Sequence, residues 1–245
     1  HLICDSMVLK SINPATGEIL KVLKEWKLEE IKKQLSKNSN AFDRWKETDY
    51  SDRRKFLKKI AKILRDNRER YASLMTTEMG KPISQSEAEV EKCAWVCEFY
   101  AENGERFLTN EYVDIGDDKG YIRFVPLGII LIIMPWNFPF WQVFRCAAPA
   151  IFAGNTVILK HSSNVPQCAL AIEDIFSKAG IPSNVFRTLL VGSNQVNEII
   201  KDDKVAAVSL TGSSYAGQSV AKVAGSRLKK VVLELGGNDP FVILS

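Results

Sequence analysis

Apolar positions in the first hundred residues recur at three- and four-residue spacing. Leu28, Ile31, Leu35, Phe42 and Trp45 form one such series, and Phe56, Leu57, Ile60, Ile63 and Leu64 form another. This is the spacing of helices that bury one face. Ahead of them, Met7 to Ile19 reads as a short extended segment with turn residues Asn13, Pro14 and Gly17, after which the pattern is expected to become helical. Gly80 and Pro82 punctuate a helix end. Ser84 and Glu87 then match a capping box, in which hydroxyl and carboxylate satisfy the first free amides of a helix, here one running towards Phe107. The first 110 residues are therefore expected to be mostly helical.

The pattern then changes twice. Glu111 to Ile115, the turn-rich Gly116 to Gly120 and Tyr121 to Val125 predict a β-hairpin arm. Beyond it, Ile129 to Met134, Thr156 to Lys160, Val185 to Leu190, Val205 to Leu210 and Lys230 to Glu234 are short apolar or β-branched runs. Helical stretches separate them, at Trp141 to Ala153, Gln167 to Ala179, Gln195 to Asp202 and Ser214 to Gly225. Alternation of this kind predicts an α/β fold, a Rossmann-like parallel sheet with flanking helices that follows an N-terminal helical segment and the hairpin arm. Such sheets bind ligands beyond the carboxyl ends of their strands, so the residues just after each strand carry the candidate chemistry.

Composition narrows the class. The chain has 245 residues, 46% apolar and 25% charged, which argues against a disordered chain. No apolar run approaches the ~20 residues that span a bilayer, so no membrane association is expected. A formal charge of +4 comes from basic residues scattered through amphipathic stretches such as Arg53 to Lys62, which speaks against nucleic-acid binding. Five cysteines, an odd number, with no secretory signal in the short stretch His1 to Ser6, lead to the expectation of a reducing cytoplasm. Cys93 and Cys97 lie four apart and could place two thiolates on one helical face. No second Cys or His pair completes a metal site, so buried small hydrophobes are the expectation, with no metal. With His1 and His161 alone, histidine-based catalysis has little material.

At the end of the first sheet strand, Met134-Pro135-Trp136-Asn137-Phe138-Pro139 must form an irregular turn, because each proline lacks an N–H. Asn137 is either a rigid amide donor to an oxyanion or a residue satisfying turn backbone, as asparagines usually are. Lys160-His161-Ser162-Ser163 closes the second strand, where the lysine either reaches a ribose hydroxyl or phosphate or is simply solvated. Thr211-Gly212-Ser213-Ser214 precedes a helix, so it forms either a phosphate site on free helical N–H groups or a plain N-cap. Glu234 ends an apolar strand, Val231-Val232-Leu233-Glu234, where partial desolvation would suit a general base; a surface glutamate is the alternative. No GxGxxG pattern occurs.

Taken in order, Pro135-Trp136-Asn137-Phe138-Pro139, Lys160, Thr211-Gly212-Ser213 and Glu234-Leu235-Gly236-Gly237 resemble the aldehyde dehydrogenase superfamily, over a stretch that begins at Asn13-Pro14-Ala15-Thr16-Gly17. Met79-Gly80-Lys81-Pro82, Trp141-Gln142, Leu159-Lys160-His161 and Asp239-Pro240-Phe241 resemble its succinate-semialdehyde branch. The resemblance implies a cysteine thiolate that attacks an aldehyde, with the Asn137 amide steadying the oxyanion. Hydride then passes to a nicotinamide, and Glu234 activates the water that hydrolyses the thioester. It further implies a cofactor lying along Met134, Pro135, Trp136, Asn137, Lys160, His161, Ser162, Ser163, Gly192, Gly212, Ser213 and Leu235. Arg145 and Trp141 face the substrate, Arg145 binding a distal carboxylate; an ordinary surface arginine is the alternative.

The resemblance also sets boundaries. Residues 7–110 and 126–235 are expected to form the NAD(P)-binding domain, 111–125 an oligomerisation arm, and 236–245 the start of a catalytic domain. Asn194 stands where a second loop glycine is usual, and Asn238 replaces a usual lysine. None of Cys4, Cys93, Cys97, Cys146 or Cys168 sits in the motif of the nucleophile, which is expected a few tens of residues past Glu234, beyond Ser245. The expected activity is thus the cofactor-binding part of an aldehyde-oxidising enzyme, inactive alone; a stand-alone dinucleotide-binding module is the alternative. Many NAD-preferring members carry a glutamate three residues after the lysine equivalent to Lys160. Ser163 stands there instead, so NADP is expected to bind at least as well as NAD. A homo-oligomer, dimer or tetramer, is expected of the full-length form.

Overall fold

The computed structural model describes residues 8–116 and 118–244; Met7, Asp117, Cys4, His1 and Ser245, on which some expectations fell, lie outside them. Two strands, β1 (Val8–Ile12) and β2 (Ile19–Lys24), form an antiparallel hairpin closed through Asn13–Glu18. The expectation that the chain turns helical after Ile19 is corrected, because β2 continues to Lys24 paired with β1. Four helices follow: α1 (Leu28–Trp45), α2 (Tyr50–Asp66), α3 (Arg68–Met79) and α4 (Ile83–Phe107). Gly80, with φ of 83°, ends α3 in the left-handed conformation that glycine adopts without strain. The Ser84–Glu87 capping box does not form. Helix α4 starts earlier, behind Pro82, whose carbonyl accepts from the Gln85 and Ser86 amides.

A second hairpin, β3 (Glu111–Ile115) and β4 (Asp118–Ile122), pairs Ile115 with Asp118. Its turn is shorter than expected: Asp118 to Gly120 belong to the strand, which stops at Ile122 and does not reach Val125. The main sheet contains β5 (Ile129–Met134), β6 (Thr156–His161), β7 (Phe186–Thr188), β8 (Val205–Thr211) and β9 (Lys230–Glu234). All neighbours are parallel, in the order β7-β6-β5-β8-β9. The connecting helices are α5 (Trp141–Phe152), α6 (Pro166–Lys178), α7 (Val196–Lys201) and α8 (Ser214–Gly225). Strand β7 is shorter than the run Val185 to Leu190, and a 3₁₀ turn over Ser193–Gln195 precedes α7.

Both faces of the sheet are covered, which is why β5 and β6 read as continuous apolar runs. Ile130, Ile132 and Met134 pack with residues of α2 to α6, while Ile129 and Leu131 pack with α1, α7 and α8. Strand order reverses at β5, so the loops after β5 and β8 leave in opposite directions and open a crevice beyond their carboxyl ends. Among the described residues, no helix is long and apolar enough to cross a membrane.

Candidate functional site

The loop after β5 carries Pro135, Trp136 and Asn137 out to the surface, with Trp136 half exposed. Asn137 Oδ1 accepts from the Phe138 amide at 3.1 Å, as a turn asparagine does, while its Nδ2 donates to no protein group among the described residues. The loop is pinned from β6. His161 is buried, with Nδ1 accepting from the Ser162 amide at 2.8 Å and Nε2–H donating to the Pro139 carbonyl at 2.8 Å. Burial holds its pKa down to about 4, so the ring is neutral. Both of its ring nitrogens are therefore occupied by backbone. The Ser162 hydroxyl donates to Asn164 Oδ1 at 2.6 Å, closing its own turn.

Lys160, the cation beside His161 at the strand end, is not solvated. It is 9% exposed, and burial lowers the pKa of its ammonium, opposed by the charge of Glu25. Lys160, Ser163 and Gly192 line one cavity of about 510 Å³, together with Lys10, Glu25 and Asn194. Glu25 was not anticipated. It follows β2, far from Lys160 in sequence, and its carboxylate accepts from the Gly192 amide at 3.1 Å. Only tertiary pairing, the Trp26 amide donating to the Leu190 carbonyl at 2.8 Å, brings it there. A Cβ on Gly192 would stand 2.6 Å from Asn194 Oδ1 and 3.1 Å from a Glu25 oxygen, so a larger residue here would have to displace those two side-chain ends.

The other strand ends meet around α5 and α8. Ser213 is the N-cap of α8, its Oγ accepting from the Ala216 amide at 3.2 Å, and no acidic residue occupies the first turn. The Gly212 amide donates to the Glu234 carbonyl at 3.0 Å, which ties β9 to the start of α8. Leu235 packs on Gly217, where a Cβ would lie 2.6 Å from its Cδ2. Arg145 donates from Nη2 to Thr211 Oγ1 at 2.9 Å and places Nη1 4.0 Å from Glu234 Oε2. Partial desolvation of Glu234 is corrected: its side chain is 58% exposed on the edge strand. Met134, Trp141, Arg145 and Glu234 share a mostly apolar cavity of about 730 Å³ with Trp95 and Phe99.

The structure thus places Met134, Trp141, Arg145 and Glu234 on one cavity, Lys160, Ser163 and Gly192 on another and Gly212 and Ser213 at the start of α8, and leaves Trp136 and Asn137 exposed on the loop between β5 and α5. Cys93, Cys97 and Cys168 are buried and Cys146 partly so, and burial pushes all four thiols up. Among the described residues, no cluster of His, Cys, Asp and Glu could hold a metal ion.

The aldehyde dehydrogenase family profile matches residues 4–245. The chain belongs to the aldehyde dehydrogenase family. It is similar over nearly its whole length to other members: 48% identity over 238 residues to a Synechocystis sp. protein named probable succinate-semialdehyde dehydrogenase with NADP+, covering 97% of this chain and 52% of that one. A Mycobacterium tuberculosis protein named succinate-semialdehyde dehydrogenase 1, also with NADP+, is 44% identical over 241 residues, covering 97% and 53%. Among solved aldehyde dehydrogenases, the Streptococcus pyogenes succinic semialdehyde dehydrogenase in complex with NADP+ superposes with a TM-score of 0.93 at 34% identity, over 96% of this chain and 52% of that one. This aldehyde dehydrogenase chain therefore spans about half the length of the relatives it matches.

Proposed function

We propose that this chain is the cofactor-binding portion of an NADP-using aldehyde dehydrogenase that oxidises succinic semialdehyde or a similar aldehyde to the acid. The observation that carries the reading is the cavity at the end of β6, where a buried lysine faces a serine and not a second carboxylate at position 163. The names of the similar proteins support the same cofactor and substrate. The residues present fit a dinucleotide phosphate. Lys160 supplies a cation whose burial is opposed by the charge of Glu25, Gly192 lets backbone approach closely, and the start of α8 offers amides with no competing acid in the first turn.

When bound, the nicotinamide supplies the acceptor for the electrons an aldehyde loses. This chain's own groups do the rest of what it contributes. The Asn137 amide, held on a proline-flanked loop, donates to the aldehyde oxygen as negative charge gathers there. Glu234, exposed to solvent, takes the proton of an attacking water. Arg145, already oriented by Thr211, meets the distal carboxylate of the substrate, and Trp141 walls the apolar cavity beside it. Residues 7–110 and 126–235 make up the cofactor domain in this reading. The β3–β4 hairpin, with Tyr112, Ile115, Tyr121 and Ile122 exposed, pairs with a neighbouring subunit in a homo-oligomer.

Calorimetric titration of the chain with each cofactor tests the reading. NADP is expected to bind at least as tightly as NAD. Ser163→Glu is expected to weaken NADP by roughly tenfold and leave NAD within twofold, since two like charges ~4 Å apart repel by roughly 4 kcal/mol before solvent reduces it. NAD binding tenfold tighter than NADP in the unaltered chain sinks the proposal.

A further inference from the structure

We propose that Lys81, Glu89 and His161 form a buried clamp that positions the Asn137 loop, an inference that rests on the reading of Asn137 as the oxyanion donor. Glu89 projects from α4 and is 4% exposed. One carboxylate oxygen accepts from the Phe140 amide at 2.8 Å and the Trp141 amide at 2.9 Å, the first amides of α5. The other is paired with the Lys81 ammonium in a contact that excludes solvent from both side chains. The same ammonium lies 4.2 Å from the centroid of the Phe138 ring. From the sheet side, His161 holds the Pro139 carbonyl at 2.8 Å.

Residues 138, 139, 140 and 141 are thus each held by a group from α4, its leading turn or β6, and none of these groups belongs to the loop. Asn137 is the next residue towards β5, and its own side chain bonds only within the turn among the described residues. A buried ion pair is weak evidence for stability, because similar-sized apolar residues often serve a core as well or better. Retaining one here is explained by direction: a carboxylate with two amides on one oxygen and an ammonium on the other fixes where α5 begins. An oxyanion donor contributes only if it is in place before charge develops, and a displacement of ~1 Å can lower a rate about a hundredfold. Glu89→Gln keeps an acceptor for the amides but turns an N–H₂ towards Lys81, so the clamp loses one jaw while the core keeps its volume.

The test is a double-mutant cycle in the full-length protein, reading kcat, the KM for succinic semialdehyde and the dissociation constant of NADP. Glu89→Gln is expected to lower kcat about tenfold with NADP affinity within twofold, and to change kcat less than twofold in an Asn137→Ala background, because residues that act as a unit are non-additive. Lys81→Gln, which also breaks the pair, is measured in the same cycle and stands in if Glu89→Gln does not fold. Equal losses of kcat in both backgrounds, or no loss in a protein whose activity does depend on Asn137, overturn the clamp and leave the oxyanion reading intact. Wild-type kcat in Asn137→Ala itself overturns that reading, and the clamp's role with it.

Discussion

Acidification should loosen this protein through His161. Its Nδ1 accepts from the Ser162 amide, so a proton arriving there meets an N–H already pointing at it, inside a buried site. Burial accordingly holds the pKa at about 4, against 6.5 for the ordinary group. The unfolded chain binds this proton below roughly 6.5 and the folded chain only below roughly 4, so the unfolded state takes up more protons between the two and stability falls as pH drops through that window. Above it the contribution is complete. At roughly 1.4 kcal/mol for each pH unit of that gap, the whole effect is about 3 kcal/mol, of which about 2 kcal/mol is lost between pH 7 and pH 5. For a chain of this size that is a drop of about 4–8 °C in melting temperature. Other groups titrate over the same range, so the comparison that isolates His161 is with His161→Gln, which can still donate to the Pro139 carbonyl and does not titrate. Urea unfolding of both proteins at pH 7 and pH 5 gives the difference directly. Parallel losses in the two proteins would refute the reasoning, because the wild type alone should carry the extra term.

Two further outcomes test the packing around the site. Gly104→Ala is expected to destabilise by about 1–3 kcal/mol, because its Cβ would stand 2.4 Å from the buried Phe152 ring; chemical denaturation with an unchanged midpoint contradicts this. Cys93, Cys97 and Cys168 are expected to resist maleimide in the folded protein at neutral pH and to react only on unfolding, as peptide mapping by mass would show; rapid labelling of the three in native buffer would contradict their burial.

How much of this was legible in the sequence depends on how local the cause is. The strands β5 and β8 follow from apolar runs, with ends legible to within a residue, since a parallel sheet covered on both faces leaves continuous β-branched stretches; the exposed edge strand β9 and the helix α8 are legible to the same precision. The cavity residues Lys160, Ser163 and Gly192 are legible because they end or follow β6 and β7, neighbouring parallel strands whose carboxyl ends open on the same side of the sheet. What failed had a distant cause. Strand β2 forms because β1 pairs with it, and Glu25 enters the cavity because β2 delivers it beside the exit of β7. Arg53, read with its neighbours only as one of the basic residues scattered through an amphipathic stretch, is 4% exposed, and its guanidinium donates to the carbonyls of Trp45, Lys46 and Phe152 where α1 and α5 end. His161 and Glu89 share that logic. Each is a polar group next to an apolar stretch, indistinguishable in sequence from a solvated one, and each is buried because a backbone end from another element needs a partner there. Local pattern reports which surfaces a segment buries; it does not report which orphaned amides and carbonyls that burial brings together. In this fold those unmet backbone groups lie at the starts of α5 and α6, where Glu89 and Glu78, both buried, accept their amides, so the groups that fix where these helices begin are the ones a sequence pattern conceals.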